Sequence, residues 1–288
     1  MPRRLDLSVE SLDPAKLAAG DVIFLALPHG HAMALAPQLV KTGKRVIDLS
    51  GDFRLKDAAL YARWYQFEHA HPEWLNGEAT AYGLSEFYAD QIRQAKLVAN
   101  PGCYATSILL AILPLFKARL VEDNRFIADA KSGYSGAGRN TQLETEMQEN
   151  LRPYKVNAHQ HMPEVLQEIA RLTGRQAAMA FVPQVIPAAR GLISMMYVRV
   201  TKPGAVKAAY DAAYTPDVTP FVRVREGALP ELREVAGTNY CDIGFVYDQQ
   251  TGYLTVASAL DNLTKGAAGQ AIQNFNLMHG FPETTGLL

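Results

Sequence analysis

The sequence predicts an α/β fold in two parts, a parallel sheet wound with helices followed by an α+β domain. Three observations carry that reading. Apolar runs of strand length at residues 21–27 and 45–49 flank a helical apolar pattern over Ala32–Lys41, the spacing of a βαβ unit. A third apolar run, 96–100, passes through the turn-forming pair Pro101 and Gly102 into a long helical pattern that starts at Tyr104 and runs to Pro114 and Phe116. Farther along, runs at 241–248 and 253–260 lie either side of a turn through Gly252, as in an antiparallel hairpin.

A chain of 288 residues is long enough for one large core or two modest ones, and 48% hydrophobic residues with a formal net charge of −1 describe an ordinary globular composition. There is no basic excess of the kind that draws nucleic acid or an anionic membrane. No apolar run reaches the roughly 18 residues of a membrane span, and the first residues carry no apolar signal core, so a cytoplasmic location is expected. Two cysteines, Cys103 and Cys241, make no disulfide framework, which suits a reducing compartment.

Taken in order, the first twenty residues are polar and mixed. Residues 21–27 read as a central parallel strand with Pro28, His29 and Gly30 as its exit loop, and Gly43 ends the following helix. A complete Rossmann-type domain opens on a G-x-G-x-x-G turn, and none precedes this unit. The domain is therefore expected to be truncated, either as a fragment or mis-started reading or as a degenerate form, by on the order of 50 residues, since a first βαβ unit alone takes about 30. Residues 58–67 and 86–94 read as surface helices, with Tyr61, Trp64, Tyr65, Tyr82 and Phe87 as packing aromatics. Residues 126–130 form a strand that leads into the glycine-rich run from Lys131 to Arg139, and 144–150 form a helix. Pro163 and Glu164 suit the first turn of a helix ending near Thr173. Strands at 179–183 and 191–201, a helix at 204–214, and a small-residue helix at 267–278 behind Asp261 as N-cap complete the order.

Cys103 is the residue on which the chemistry turns. Placed at a helix N-terminus after a strand and a tight turn, its sulfur meets unpaired backbone N–H groups and the positive end of the helix dipole, which favour a thiolate over the usual pKa near 8.5. The same N–H groups suit a developing oxyanion. The competing reading is a cysteine that only packs. In the glycine-rich run, small residues let backbone N–H groups converge on an anion, while Ser132, Ser135 and Arg139 add donors and charge. Paired histidines (His29 with His31, His69 with His71, His159 with His161) raise a metal site, but none is followed by the i+4 partner or cysteine cluster of a zinc centre, and no metal is expected. Arg190, in a loop between strands, reads from the residues alone as readily as a solvated charge as a group that grips an anion.

The run Asn100-Pro-Gly-Cys-Tyr-Ala-Thr106, with Ala111 and Pro114 downstream, resembles the active-site signature of the N-acetyl-gamma-glutamyl-phosphate reductases, part of the aspartate-semialdehyde dehydrogenase and glyceraldehyde-phosphate dehydrogenase group. Further segments are similar to that family: Asp48 to Arg54, Ser132 to Arg139, His159-Gln-His-Met-Pro-Glu164 with Gln160 where the family has Arg, Pro187 to Gly191, and Asp261 to Ala271. The resemblance covers nearly the whole chain from Asp21 to Leu288. It implies a glyceraldehyde-phosphate dehydrogenase-like architecture: residues 1–102, completed by 261–288, as a truncated NADP-binding domain, and 103–260 as the catalytic and dimerisation domain. It implies NADPH-dependent reduction of an acyl phosphate through a thioester on Cys103, with His159 as acid/base. Ser132, Ser135, Arg139, His161 and Arg190 would bind substrate, and Ser50, Gly136, Asn262 and Lys265 the NADP cofactor. A homo-oligomer, dimer or tetramer, is implied as well. The aminoadipyl-phosphate reductases are the near alternative, and Tyr104 fits the glutamyl branch better. If the first βαβ unit is genuinely absent, an acyl-phosphate hydrolase unable to transfer hydride, or a non-catalytic binding subunit, is the alternative in another class.

Overall fold

The computed structural model describes residues 8–17, 19–138 and 141–288. A short helix α1 (Pro14–Leu17) precedes β1 (Val22–Leu25), α2 (Ala32–Lys41) and β2 (Arg45–Asp48), which form the expected βαβ unit. The chain continues through α3 (Ala59–Trp64), β3 (Thr80–Tyr82), α4 (Ser85–Gln94) and β4 (Leu97–Ala99). The four strands are parallel and lie in the order β1-β2-β4-β3. Of these four strands only β3 is unheralded in the sequence: three residues are too few to show a period.

From β4 the chain turns through Asn100, Pro101 and Gly102 into α5 (Cys103–Lys117), where every residue from Tyr104 to Phe116 is buried. A helix apolar on all sides must be enclosed, and α5 is covered by the second sheet, by α7 (His161–Thr173) and by α8 (Val206–Ala213). Its few polar groups are satisfied in place. Thr106 Oγ1 bonds back to the Gly102 carbonyl, and Ser107 Oγ donates to the Ser258 carbonyl. Pro114 sits inside the helix and has no N–H to offer the Leu110 carbonyl; the Tyr214 hydroxyl takes that carbonyl instead, and Tyr210 bonds the next one, Ala111. Two tyrosines, Tyr210 in α8 and Tyr214 just after it, thus take up carbonyls ahead of the proline, and the helix runs to Lys117, one residue beyond the expected Phe116.

The second sheet holds β5 (Val121–Gly133), β6 (Arg152–Pro153), β7 (Ala178–Ile186), β8 (Leu192–Val200), β9 (Val222–Glu226), β10 (Cys241–Tyr247) and β11 (Tyr253–Leu260), in the order β6-β7-β5-β8-β11-β10-β9. The foreseen hairpin is β10 with β11, antiparallel from Cys241 opposite Leu260 to Tyr247 opposite Leu254. β5 outruns the expected 126–130 because its alternation continues: Phe126, Ala128, Ala130 and Ser132 are buried against α5, while Ile127, Asp129 and Lys131 face outward. Helix α6 (Thr141–Glu146) lies between β5 and β6.

The last helix, α9 (Gly269–His279), returns to the first sheet and packs on α4. Gln270 Nε2 and Asn274 Nδ2 both donate to the Gly83 carbonyl, and Asn274 also reaches Asn100 Oδ1 at 3.0 Å. Asp261 caps the turn that leads there, accepting from the N–H groups of Leu263 and Thr264. No helix of the described residues is long and apolar enough to cross a membrane.

Candidate active site

Cys103 is the first residue of α5, and Gly102 before it is extended, with φ −71° and ψ 148°. The turn that aims the sulfur is held by a buried cluster. One Glu164 carboxylate oxygen accepts from the Gly102 N–H at 2.9 Å and from the Tyr82 hydroxyl at 2.7 Å. Arg54 faces the other at 3.8 Å, donates through Nε to the Asn100 carbonyl and through Nη2 to the Leu49 carbonyl, and lies 3.4 Å from His161 Nε2. One guanidinium therefore ties the ends of β2 and β4 to the start of α7. Burial raises the Glu164 carboxyl above its ordinary pKa, against the pull of Arg54.

Two glycines are required here by close approach. A β-carbon at Gly102 would stand 2.2 Å from His161 Nε2, and one at Gly266 would stand 2.7 Å from the β-carbon of Cys103. The imidazole of His161 thus packs directly on the residue before the nucleophile, and the turn before α9 packs on the nucleophile itself.

Cys103 opens onto a cleft of about 700 Å³ whose lining includes His29, Ser132, Ser135, Gly136, Tyr154, Lys155, His159, His161 and Asn262. The cleft brings together seven of the residues singled out in the sequence. His159 and His161 stand with ring centroids 4.5 Å apart, and the His161 N–H donates to His159 Nδ1 at 3.1 Å. That bond fixes the hydrogen of neutral His159 on Nε2. His161 Nδ1 is buried without a hydrogen-bond partner among the described residues. Burial, reinforced by Lys155 and Arg54, lowers His159 to about 3; burial and His159 itself hold His161 well below the ordinary histidine range, so both rings are neutral at pH 7.

The thiolate expected at Cys103 is corrected by the same physics. The backbone N–H groups of Tyr104 and Cys103 do face the sulfur and pull its pKa down, as does Arg54, but loss of water outweighs them and pushes the thiol up to about 11. At neutral pH the resting group is a thiol.

Asn262 and Gly136 form a small cradle. Asn262 Oδ1 accepts from the Gly191 N–H at 2.8 Å and Nδ2 donates to Ser135 Oγ at 3.0 Å, which leaves one N–H and one lone pair of the amide free. A β-carbon at Gly136 would close to 3.1 Å from Ser132 Oγ, so glycine keeps the backbone bare at that point. An amide with both functions half used, beside bare backbone, fits the carboxamide end of a nicotinamide.

Three of the proposed residues stand elsewhere. Lys265 is fully buried away from the cleft, its Nζ 2.6 Å from Glu86 and 2.7 Å from Gln273. A lysine so enclosed needs that carboxylate, and none of its charge is left for a cofactor. Ser50 is buried with its hydroxyl on Asp48 at 2.8 Å. Arg190 is turned onto Asp261, with Nε at 3.1 Å from Oδ2 and Nη2 at 3.3 Å from Oδ1. Arg139 lies outside the described residues. Conversely, His29, Tyr154, Lys155 and the Arg54–Glu164 pair were not singled out as site residues. The signal for all but His29 was present in the segments 48–54 and 154–164, and His29 lay in the loop after β1, but only the tertiary fold joins them. Among the described residues no three His, Cys, Asp or Glu groups assemble as a metal site.

A strand-turn-helix bearing a cysteine between a parallel sheet and a mostly antiparallel one defines a class, and comparison with known proteins gives the same one. Residues 1–95 match the family model of the semialdehyde dehydrogenase NAD binding domain and residues 103–262 that of the semialdehyde dehydrogenase dimerisation domain. Aspartate semialdehyde dehydrogenase II from Vibrio cholerae superposes with a TM-score of 0.68 over 94% of this chain and 82% of that one, at 18% identity, a likeness of fold. Among curated proteins, the N-acetyl-gamma-glutamyl-phosphate reductases of Geobacillus thermodenitrificans and Pelotomaculum thermopropionicum are 48% and 46% identical to it, over 97% and 95% of this chain and 82% and 80% of theirs. The chain belongs to the N-acetyl-gamma-glutamyl-phosphate reductase family.

Proposed function

We propose that this chain reduces N-acetyl-γ-glutamyl phosphate to N-acetylglutamate γ-semialdehyde in arginine biosynthesis, with NADPH as reductant. The observation that carries the reading is the place of Cys103 at the α5 N-terminus, open to a cleft that also holds two neutral imidazoles and a glycine-lined wall. Its sulfur attacks the γ-carbonyl, an S–C bond forms, the C–O bond to phosphate breaks, and the thiol proton leaves with the phosphate. Since the resting sulfur is protonated, the proton departs as the bond forms. His159 is the proposed carrier: its ring is neutral, and because Nε2 already bears the hydrogen it receives the proton at Nδ1, which then releases the His161 backbone N–H. The N–H groups at the start of α5 stabilise the oxyanion.

A bound nicotinamide cofactor would supply hydride to the thioester carbon. Gly136 and Asn262 are the proposed contacts for its carboxamide end. Ser132, Ser135, Arg139 and His161 are proposed for the substrate, whereas Arg190 and Lys265 are left to their carboxylate partners. After hydride transfer the C–S bond breaks, the aldehyde leaves, and the sulfur recovers a proton that His159 relays from solvent, the first having left with the phosphate. Residues 1–102 with 261–288 are proposed as the cofactor-binding part and 103–260 as the catalytic and dimerisation part. The outward face of the second sheet, where Ile127 and Tyr253 are exposed, supports a homo-oligomer, for which a dimer or tetramer is proposed; a cytoplasmic location is proposed as well.

The test is turnover by purified protein given N-acetyl-γ-glutamyl phosphate and NADPH. One phosphate is expected per NADPH oxidised, with kcat/KM at least about tenfold lower for NADH and no turnover by Cys103→Ser. Phosphate released without NADPH oxidation would establish a hydrolase instead.

A further inference from the structure

Among the described residues, one charged group in the cleft has no counter-charge. Arg152 at its edge pairs with Glu146 at 3.2 Å, and Arg54 beneath it faces Glu164. Lys155 has no carboxylate within ion-pair distance among the described residues; its Nζ donates to Gln160 Oε1 at 3.3 Å, which leaves two of its three N–H groups for something else. Its charge is felt inside the site, where it contributes to holding His29, His159 and His161 unprotonated.

The backbone holds Lys155 there against its own preference. At φ +44° it lies in the left-handed region, which a residue with a β-carbon avoids, and Asn157 two residues on is at +53°. The turn is clamped on both sides to β7: the Tyr154 N–H donates to the Pro183 carbonyl, the Asn157 N–H to the Phe181 carbonyl, and the Asn157 side chain accepts from the Phe181 N–H at 2.8 Å. Within the turn the Ala158 N–H closes on the Lys155 carbonyl at 2.9 Å. An exposed lysine with no partner is ordinary. A lysine fixed at the rim of a catalytic cleft by a strained, doubly anchored turn, with a glutamine orienting its ammonium, is a built feature.

Resting on the function proposed above, we propose that Lys155 selects the substrate by its α-carboxylate, holding that group at the rim while the acyl phosphate reaches Cys103. The acyl phosphate must lie at the sulfur, by the α5 N–H groups and the wall from Ser132 to Gly136. Lys155 comes from another element, the connection between β6 and α7. The one other anionic group on an N-acylated γ-glutamyl phosphate is its α-carboxylate, and an ammonium with two free donors is its complement.

The experiment compares N-acetyl-γ-glutamyl phosphate with 4-acetamidobutyryl phosphate, the same acyl phosphate without the carboxylate. The wild type is expected to prefer the first by at least about tenfold in kcat/KM, the scale of one hydrogen bond to a charged group. Lys155→Ala should lose that preference by a rise in KM for the carboxylated substrate alone, and Lys155→Arg should retain most of it. Lys155→Gly relieves the left-handed backbone, so it should lose the preference with an unchanged or higher melting temperature, which separates selection from folding. Equal losses on both substrates, a loss confined to kcat, or no loss overturns the assignment. So does a rise in the KM for inorganic phosphate in the reverse reaction with the preference intact, which would make Lys155 a phosphate ligand. A wild type that turns over neither acyl phosphate removes the reductase reading itself, and with it this proposal.

Discussion

If the Cys103 thiol titrates at about 11, its reactivity toward a small alkylating agent has a defined shape. At pH 7 the sulfur is four pH units below its midpoint, so about one molecule in 10⁴ carries a thiolate, against a few per cent for a free cysteine of pKa about 8.5. Iodoacetamide should therefore modify Cys103 at neutral pH on the order of 100-fold more slowly than free cysteine. The rate should then rise about tenfold per pH unit to pH 10. The second cysteine supplies the control: Cys241 is fully buried and raised to about 12, so intact mass should show a single adduct, absent from Cys103→Ser. A rate that is already flat between pH 6 and 8 would mean a resident thiolate, and would refute the argument that desolvation outweighs the helix N-terminus at this sulfur.

Two further outcomes follow from the packing around that turn. Gly102→Ala has backbone angles that alanine accepts, so any effect must come from the 2.2 Å approach to His161; about 1–3 kcal/mol of stability should be lost in urea unfolding, and His161→Ala in the same chain should return most of it. Glu164→Leu leaves Arg54 without its counter-charge and the Gly102 N–H and Tyr82 hydroxyl without an acceptor. Its cost should be about 3–5 kcal/mol, and a variant pairing it with Arg54→Met should be more stable than Glu164→Leu alone.

What was legible in the sequence was whatever is local. The βαβ unit, the long helix after Cys103 and the β10–β11 hairpin follow from periods and turns a few residues long, and the structure has them within two or three residues of the expected bounds at most ends. β3 is too short to show a period. β9, Val-Arg-Val-Arg-Glu, alternates well but was passed over, its arginines being answered by Asp242 and Glu234 in other elements. The site divides the same way. The cleft residues carried by compact motifs came together, whereas Lys265 looked available because Glu86, which claims it, lies 179 positions earlier. The acidity of Cys103 was misjudged for a related reason: a helix start is visible in seven letters, but loss of water is a property of everything folded around it.

The contact between Gly266 and Cys103 also sets a timetable. The two residues lie far apart in the chain, and the helix that begins three positions after Gly266 is clasped to Gly83 and Asn100 by Gln270 and Asn274. A nascent chain possesses its nucleophile well before Gly266 and α9 can close the pocket around it. Until then the reactive sulfur lacks one wall, and assembly of the catalytic centre waits on pairings of high sequence separation, the slow kind.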